Sequence, residues 1–389
     1  MKCIAIAIDS FKGSLSSKEL ADSVKNGVLK VYKDIDIKIF LIADGGEGSL
    51  DSFLDKGDFI FLKSTDPLGE KIESKYLKLS STKAVIESAQ TIALTSKTKE
   101  NFLKTSSFGL GELINDALNR GFKDIIITLG GTATNDAGAG MLEALGYRFF
   151  DFKGNIISPN SSNLKNISKI DSTFANKKAK KARFRVAVDV DAKMLGQKSC
   201  TKLFSLQKGA KRDDLELLET EIRHFCNLIK KTTSKNISNL KGAGAGGCIA
   251  GTLNAFLDAQ IISGTDFILD SQNFEKEIEN CDLIITGEGK IDSQTSMGKA
   301  ISGVAKAAKK QDIPVMAICG EIDEEIQKIH SSLGVDAVFS IIDKPISLKD
   351  ALKPQTTKKM VENLTEEIFR IIKISKAKKI DKYISKKIS

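Results

Sequence analysis

Five short turns in this chain set carboxylates among glycines and small residues, and each follows an apolar run of strand length. They are Asp9-Ser10-Phe11-Lys12-Gly13-Ser14, Asp44-Gly45-Gly46-Glu47-Gly48, Gly130-Gly131-Thr132-Ala133-Thr134-Asn135-Asp136, Asp189-Val190-Asp191 and Gly287-Glu288-Gly289-Lys290-Ile291-Asp292. Residues of these types suit phosphoryl transfer, which needs backbone donors around phosphates, cations on the transferring group, carboxylates for magnesium and a base near the acceptor hydroxyl. In the first turn, Ser10 and Lys12 could hold a phosphate or a carboxylate at a helix start, or form an ordinary strand-to-helix turn. In the second, Asp44 and Glu47 stand beside Gly45 and Gly46, where backbone can approach a ligand closely. The third offers the amides of Gly130 and Gly131 and the hydroxyls of Thr132 and Thr134 to an anion, with Asn135 or Thr134 alternatively capping the next helix. Asp189 and Asp191 lie on one side of an extended segment, as a base, a magnesium pair or a solvated strand end. The fifth repeats glycines, Glu288, Lys290 and Asp292.

Further cations stand at Lys208, in Gln207-Lys208-Gly209-Ala210, and at Lys299 after Gly298. Gly242, Gly244 and Gly247 spell GxGxxG, but the preceding Ile-Ser-Asn-Leu-Lys makes a poor strand for a dinucleotide fingerprint. The phosphate-binding pattern GxxxxGK[ST] is absent. The two histidines, His224 and His330, are remote from every glycine turn in sequence, so the base is expected to be a carboxylate or a lysine. Six cysteines without a CxxC pair read as buried thiols of a reducing compartment, not as a zinc site or a disulfide framework.

The elements that must position these turns follow from periodicity. Residues 3–8 are continuously apolar, as in a parallel strand covered on both faces. Ser16 and Glu19 have capping-box spacing ahead of a helix carrying Leu20, Val24, Val28 and Val31. A strand over 37–43, the second turn and a short helix near 50–54 follow. The same strand-turn-helix order returns late, with a strand over 282–286, a helix over 299–309, strands over 314–319 and 335–342, and a final helix near 357–374 bearing Met360, Val361, Leu364, Ile368 and Ile371 on one stripe. Between lie a helix near 109–119, strands over 124–129 and 184–188, and a long helix over 213–230. The simplest architecture is one α/β domain built from both ends of the chain, interrupted by a second, mixed α/β domain. Boundaries are expected at 1–62 with 281–375 for the first, 63–280 for the second, and 376–389 for a basic tail.

At 389 residues the chain exceeds what a single core usually supports, and 41% hydrophobic with 28% charged residues excludes a largely disordered protein. No apolar run approaches a membrane span, and the N-terminal KCIAIAI is too short for a signal segment, so a cytoplasmic protein is expected. A net charge of +9 favours anionic ligands. The lysine clusters at 176–185 and from Lys373 onward lack interleaved aromatics, so nucleic acid is not the expected partner.

Taken in order, DSFKGSLSS, ADGGEGS, DPLGE, TSSFGLGELINDAL, GGTATNDAGAGMLEALG, DVD, QKGA, GAGAGG, DLIITGEGKIDSQT and GKAISGVA resemble the motif series of the type I glycerate kinases. The resemblance implies a flavodoxin-like doubly wound parallel sheet interrupted by the second domain, and transfer of a phosphoryl group from ATP, carrying Mg2+, to glycerate. The 2-phosphoglycerate product is expected, with 3-phosphoglycerate the alternative. Lys12, Asp44, Asp136, Asp189, Asp191, Glu288 and Asp292 match family positions. The catalytic candidates are Asp189, Asp191, Asp44, Asp292 and Lys12, with Asp189, Asp191 and Glu288 as magnesium ligands. Ser10, Lys12, Gly45, Gly46, Gly130, Gly131, Thr132, Thr134, Asn135, Asp136, Lys208, Gly242, Gly244, Gly287, Glu288 and Lys290 are the binding candidates. Departures from the pattern are Ile8 for proline, Ala192 and Lys193 for asparagine and proline, and Cys248 for glycine. The rival readings are a nucleotide-dependent oxidoreductase using GAGAGG and a basic nucleic-acid binder; a homodimer stays open.

Overall fold

The computed structural model describes residues 1–43, 46, 48–53, 56–291, 300–323 and 326–376, with 326, 327 and 376 described by backbone alone. In chain order the strands are β1 (Cys3–Ile8), β2 (Asp36–Leu41), β3 (Asp58–Thr65), β4 (Lys71–Lys78), β5 (Lys83–Glu87), β6 (Asp124–Thr128), β7 (Arg148–Phe150), β8 (Lys169–Asp171), β9 (Arg183–Val188), β10 (Gln260–Ser263), β11 (Leu283–Ile291), β12 (Val315–Ile322) and β13 (Ala337–Ser340). They divide between two α/β units, one formed by Met1–Ala43 with the chain from Ile268 onward, the other by Asp44–Phe267.

The first unit holds a five-stranded parallel sheet in the order β13-β12-β11-β1-β2. Read from the other edge this is the flavodoxin-like order, with a topological switch point between β1 and β11. All of β1 is buried, as its unbroken apolar run requires for a strand covered on both faces. The helix Ser17–Leu29 begins with the expected capping box: the Glu19 N–H donates to Ser16 Oγ and the Ser16 N–H to Glu19 Oε2. Such a cap is worth about 1 kcal/mol. Gly27 on this helix is required by close approach, since a Cβ there would lie 2.7 Å from both Glu362 O and Thr365 Cβ of the last helix, Pro354–Lys376. That helix buries Met360, Val361 and Ile368 as expected, but Ile371 is 66% exposed. Phe369 and Ile372 take the inward positions instead, because the stripe drifts around the helix over four turns.

The second unit holds a six-stranded mixed sheet in the order β10-β9-β6-β5-β4-β3 and a small β7-β8 pair. Strands β5, β6, β9 and β10 run parallel, so their carboxyl ends share one edge. Its core gathers around Ile125, Ile127, Leu113, Phe184, Phe225 and Leu253.

Two expectations are corrected. The domain boundaries move from 62/63 and 280/281 to 43/44 and 267/268. The reason is pairing: β3 matches β4 along its whole length, from Asp58↔Lys78 to Thr65↔Lys71. At the other junction, Phe274 stacks edge-on against Phe40 at 4.7 Å and Gln272 Nε2 donates to Leu41 O, which fixes residues 268–280 to the first unit. The second correction concerns Gly287 to Ile291, expected as a loop. These residues continue β11, because β12 runs on beside them with Glu288↔Cys319, Lys290↔Glu321 and Ile291↔Ile322 in register.

Candidate active site

In the first unit the switch point supplies one group of candidates. Ile8 and Gly287 are partners in register, and the Asp9 N–H donates to Gly287 O at 3.0 Å just past the end of β1. The turn then folds over β11, so that a Cβ on Gly289 would lie 3.5 Å from Phe11 Cα and 3.7 Å from Lys12 N. Asp9 is buried and accepts from the Ser10 N–H at 2.6 Å, while Lys12 is exposed. Glu288 is 9% exposed on β11. Lys290 is already neutralised by Asp323 at 2.8 Å and Glu321 at 3.1 Å, which hold its ammonium pKa up. These three side chains form a surface ion-pair cluster around this binding candidate. Asp44, Gly45 and Asp292 lie outside the described residues.

In the second unit the turns meet at the carboxyl edge of the parallel strands. After β6, Thr132, Thr134, Asn135 and Asp136 are all buried. Asp136 Oδ2 accepts from the Ser107 N–H, Ser107 Oγ and the Gly140 N–H, and Oδ1 from the Gly138 N–H, at 2.7–3.1 Å. Burial pushes its carboxyl pKa up against the pull of these donors. Asp136 therefore ties the turn to the helices Phe108–Asn119 and Ala139–Ala144.

Lys208 is also buried, at 3% exposure. Its Nζ donates to Thr134 O at 2.7 Å and approaches Thr132 Oγ1 at 3.4 Å, and among the described residues no carboxylate forms an ion pair with it. Burial brings its pKa down to about 8, with the negative ends of Cys200, Cys248 and Asp136 opposing. Beside it, Thr134 Oγ1 and Asn135 Nδ2 are buried without hydrogen-bond partners among the described residues. The GAGAGG turn closes over the same point. A Cβ on Gly247, whose φ is +68°, would sit 2.0 Å from Thr134 O and 3.2 Å from Lys208 Nζ, so no larger residue fits. No strand precedes this turn, which removes the context a dinucleotide fingerprint needs.

The two aspartates after β9 part company. Asp189 accepts from the Gly264 N–H at 2.9 Å and from the Thr265 N–H and Oγ1 at 2.9 and 2.7 Å, with Ser263 Oγ at 3.3 Å. It caps the start of the helix Gly264–Ser271. Asp191 keeps a side chain 48% exposed, with Lys241 Nζ at 3.1 Å. Gly242, next to that lysine, lies against Val188 and Val190, and the Gly244 N–H donates to Ala192 O, which joins this segment to the GAGAGG turn.

Two participants escaped the sequence reading. Lys241 had no signal beyond its place before a glycine run. Glu87 had one, a lone carboxylate ending the apolar β5 run: it is buried and accepts from the Gly48 N–H at 3.2 Å and the Leu50 N–H at 2.9 Å, anchoring the start of the short helix Ser49–Phe53. Burial pushes its pKa up while these donors oppose. His224 and His330 bond to the carbonyls of Ile167 and Val335, in structural roles.

A buried cation and an accessible carboxylate beyond the ends of the parallel strands are groups that phosphoryl transfer uses, and the wider comparison agrees. The sequence model of the glycerate kinase family matches residues 4–373. The chain belongs to the glycerate kinase family. It is 38% identical over 358 residues to a glycerate kinase of Halalkalibacterium halodurans, covering 91% of this chain and 94% of that one. A glycerate 2-kinase of Escherichia coli is 37% identical over 355 residues, 90% of this chain and 93% of its own. The crystal structure of an assigned glycerate kinase 2 from Salmonella typhimurium LT2 superposes with a TM-score of 0.79 at 35% identity, covering 96% and 99% of the two chains. Family membership brings kinase activity on glycerate and a nucleotide substrate. No helix among the described residues is long and apolar enough to cross a membrane.

Proposed function

We propose that the chain transfers the γ-phosphoryl group of ATP to the 2-hydroxyl of glycerate, giving 2-phosphoglycerate. The observation that carries this reading is Lys208, a buried ammonium with no carboxylate pairing it among the described residues, set under two glycine turns. A buried charge is retained when a ligand supplies its opposite. Both substrates are anions, and the amides around Gly130, Gly131 and Gly242 can take phosphate oxygens. Asp191, accessible and steadied by Lys241, accepts the hydroxyl proton as the oxygen attacks phosphorus. Asp189 fixes the segment on which Asp191 stands, and Glu87 fixes the acidic turn near Gly48.

Among the described residues no group of three acidic, histidine or cysteine side chains could cage a metal. Magnesium that arrives on ATP needs only one or two protein carboxylates beside the phosphate oxygens. Asp191 would hold it, and it would neutralise the charge of the transferring group. The free, buried cysteines suit a cytoplasmic location. An assay with ATP, magnesium and glycerate tests the activity, and the product is read with enolase, which consumes 2-phosphoglycerate but not the 3-isomer. Enolase-dependent signal without added mutase is expected; signal only with mutase moves the phosphate to the 3-hydroxyl, and no turnover ends the proposal.

A further inference from the structure

Beside Lys208 lies a pair of thiols that phosphoryl transfer does not use. Cys200 Sγ and Cys248 Sγ are 2.8 Å apart, both within the core of the second unit. Cys248 follows GAGAGG directly, and its φ of +74° is left-handed backbone that glycine adopts without strain and cysteine does not. Glycine is what the resembling motif has there, so this chain keeps a strained cysteine where the unstrained residue would serve. Cys200 opens a helix of five residues, Cys200–Phe204, flanked by exposed residues 196–198 and 206–207. So short a helix has little stability of its own, and its local opening admits a small oxidant.

We propose that Cys200 and Cys248 form an oxidisable dithiol, which hydrogen peroxide closes to a disulfide and which thereby weakens binding of the anionic substrate. The Cys200 thiolate attacks one peroxide oxygen; the O–O bond breaks, and the departing hydroxide takes a proton to leave as water. The Cys248 sulfur then attacks the sulfenic sulfur, the S–O bond breaks, and the hydroxide released takes the Cys248 proton as a second water. Two thiols and one peroxide give one disulfide and two waters.

The consequence runs through Lys208. The groups facing it are Cys200, Cys248 and Asp136, and all three favour its protonated form against burial. Burial holds Cys248 as the neutral thiol, so the charge that a disulfide removes is that of the Cys200 thiolate, and Lys208 sheds its proton at lower pH. The effect on binding rests on the role given to Lys208 above; the cross-link rests on geometry alone.

The test treats the full chain with hydrogen peroxide, quenches it with catalase, alkylates remaining thiols and maps peptides without reduction. A Cys200–Cys248 linkage is expected, with KM for glycerate near pH 8 raised because less Lys208 keeps its proton. Dithiothreitol restores both, and Cys200→Ser shows no peroxide response. Mapping of the unaltered chain decides the linkage even where that variant does not fold. Linkage absent, or formed only between Cys3 and Cys281, whose sulfurs are 3.0 Å apart, overturns the site. Linkage with unchanged KM and pH profile overturns the switch. A reduced Lys208→Met variant with wild-type KM overturns the Lys208 role instead, separately from the cross-link.

Discussion

Lys208 ties function to a cost in stability. Its pKa falls from 10.5 unfolded to about 8 folded, which is worth roughly 3 kcal/mol against the folded state at neutral pH. Between those two values the unfolded chain holds a proton that the folded chain has released, so stability rises with pH through that window while the charge that attracts an anion is lost. Lys208→Met removes the buried charge; its Tm at pH 7 should rise in calorimetry while kcat/KM falls by about a hundredfold. A lower Tm with retained turnover would show a structural lysine. The aspartates separate in the same way. Asp191→Asn should cut kcat by about a hundredfold with Tm unchanged, whereas Asp189→Asn should cost about 1 kcal/mol of stability by weakening the cap and reduce kcat less. The sequence placed both on one side of a strand and could not choose between them. The helix start that occupies Asp189 comes from Gly264 and Thr265, far along the chain, and no local pattern announces it.

Among elements, the acidic turn after β2 depends on β5. Glu87 accepts from the Gly48 and Leu50 N–H groups, and glutamine can present only one acceptor oxygen in place of two. Glu87→Gln should therefore lower kcat by about tenfold with far-UV circular dichroism unchanged, a loss of alignment more than of fold. An unaltered kcat would show that this turn does not serve the reaction. Strands were legible where apolar runs are continuous: β1, β6 and β9 fall within a residue of expectation, because parallel strands covered on both faces leave that signature. Gly287 to Ile291 was not, since two glycines, a glutamate and a lysine read locally as a turn, and only the neighbouring β12 makes them strand. Likewise the GAGAGG turn announced a ligand loop, while what its glycines accommodate, Lys193 O and Thr134 O, is set by contacts distant in sequence.

At the scale of the molecule, two α/β units made from interleaved segments were readable from the return of strand-turn-helix order near the end of the chain. The boundaries were not, because a β-hairpin pairs by register and carries its preceding turn with it. Each unit has its own hydrophobic cluster, around Ile4, Ile6 and Val361 in one and Ile125, Phe184 and Phe225 in the other. ATP with magnesium should raise Tm and NAD should not, since no strand leads into GAGAGG; the reverse result would favour a dinucleotide enzyme. The most direct measurement is the pH dependence of kcat/KM for glycerate in the wild-type chain and in Lys208→Met. A buried ammonium, with no carboxylate pairing it among the described residues, that holds the anionic substrate predicts a basic limb with its midpoint near 8 in the wild type, absent from the variant. A wild-type profile that stays level through that pH, or the same limb in both proteins, would contradict the account.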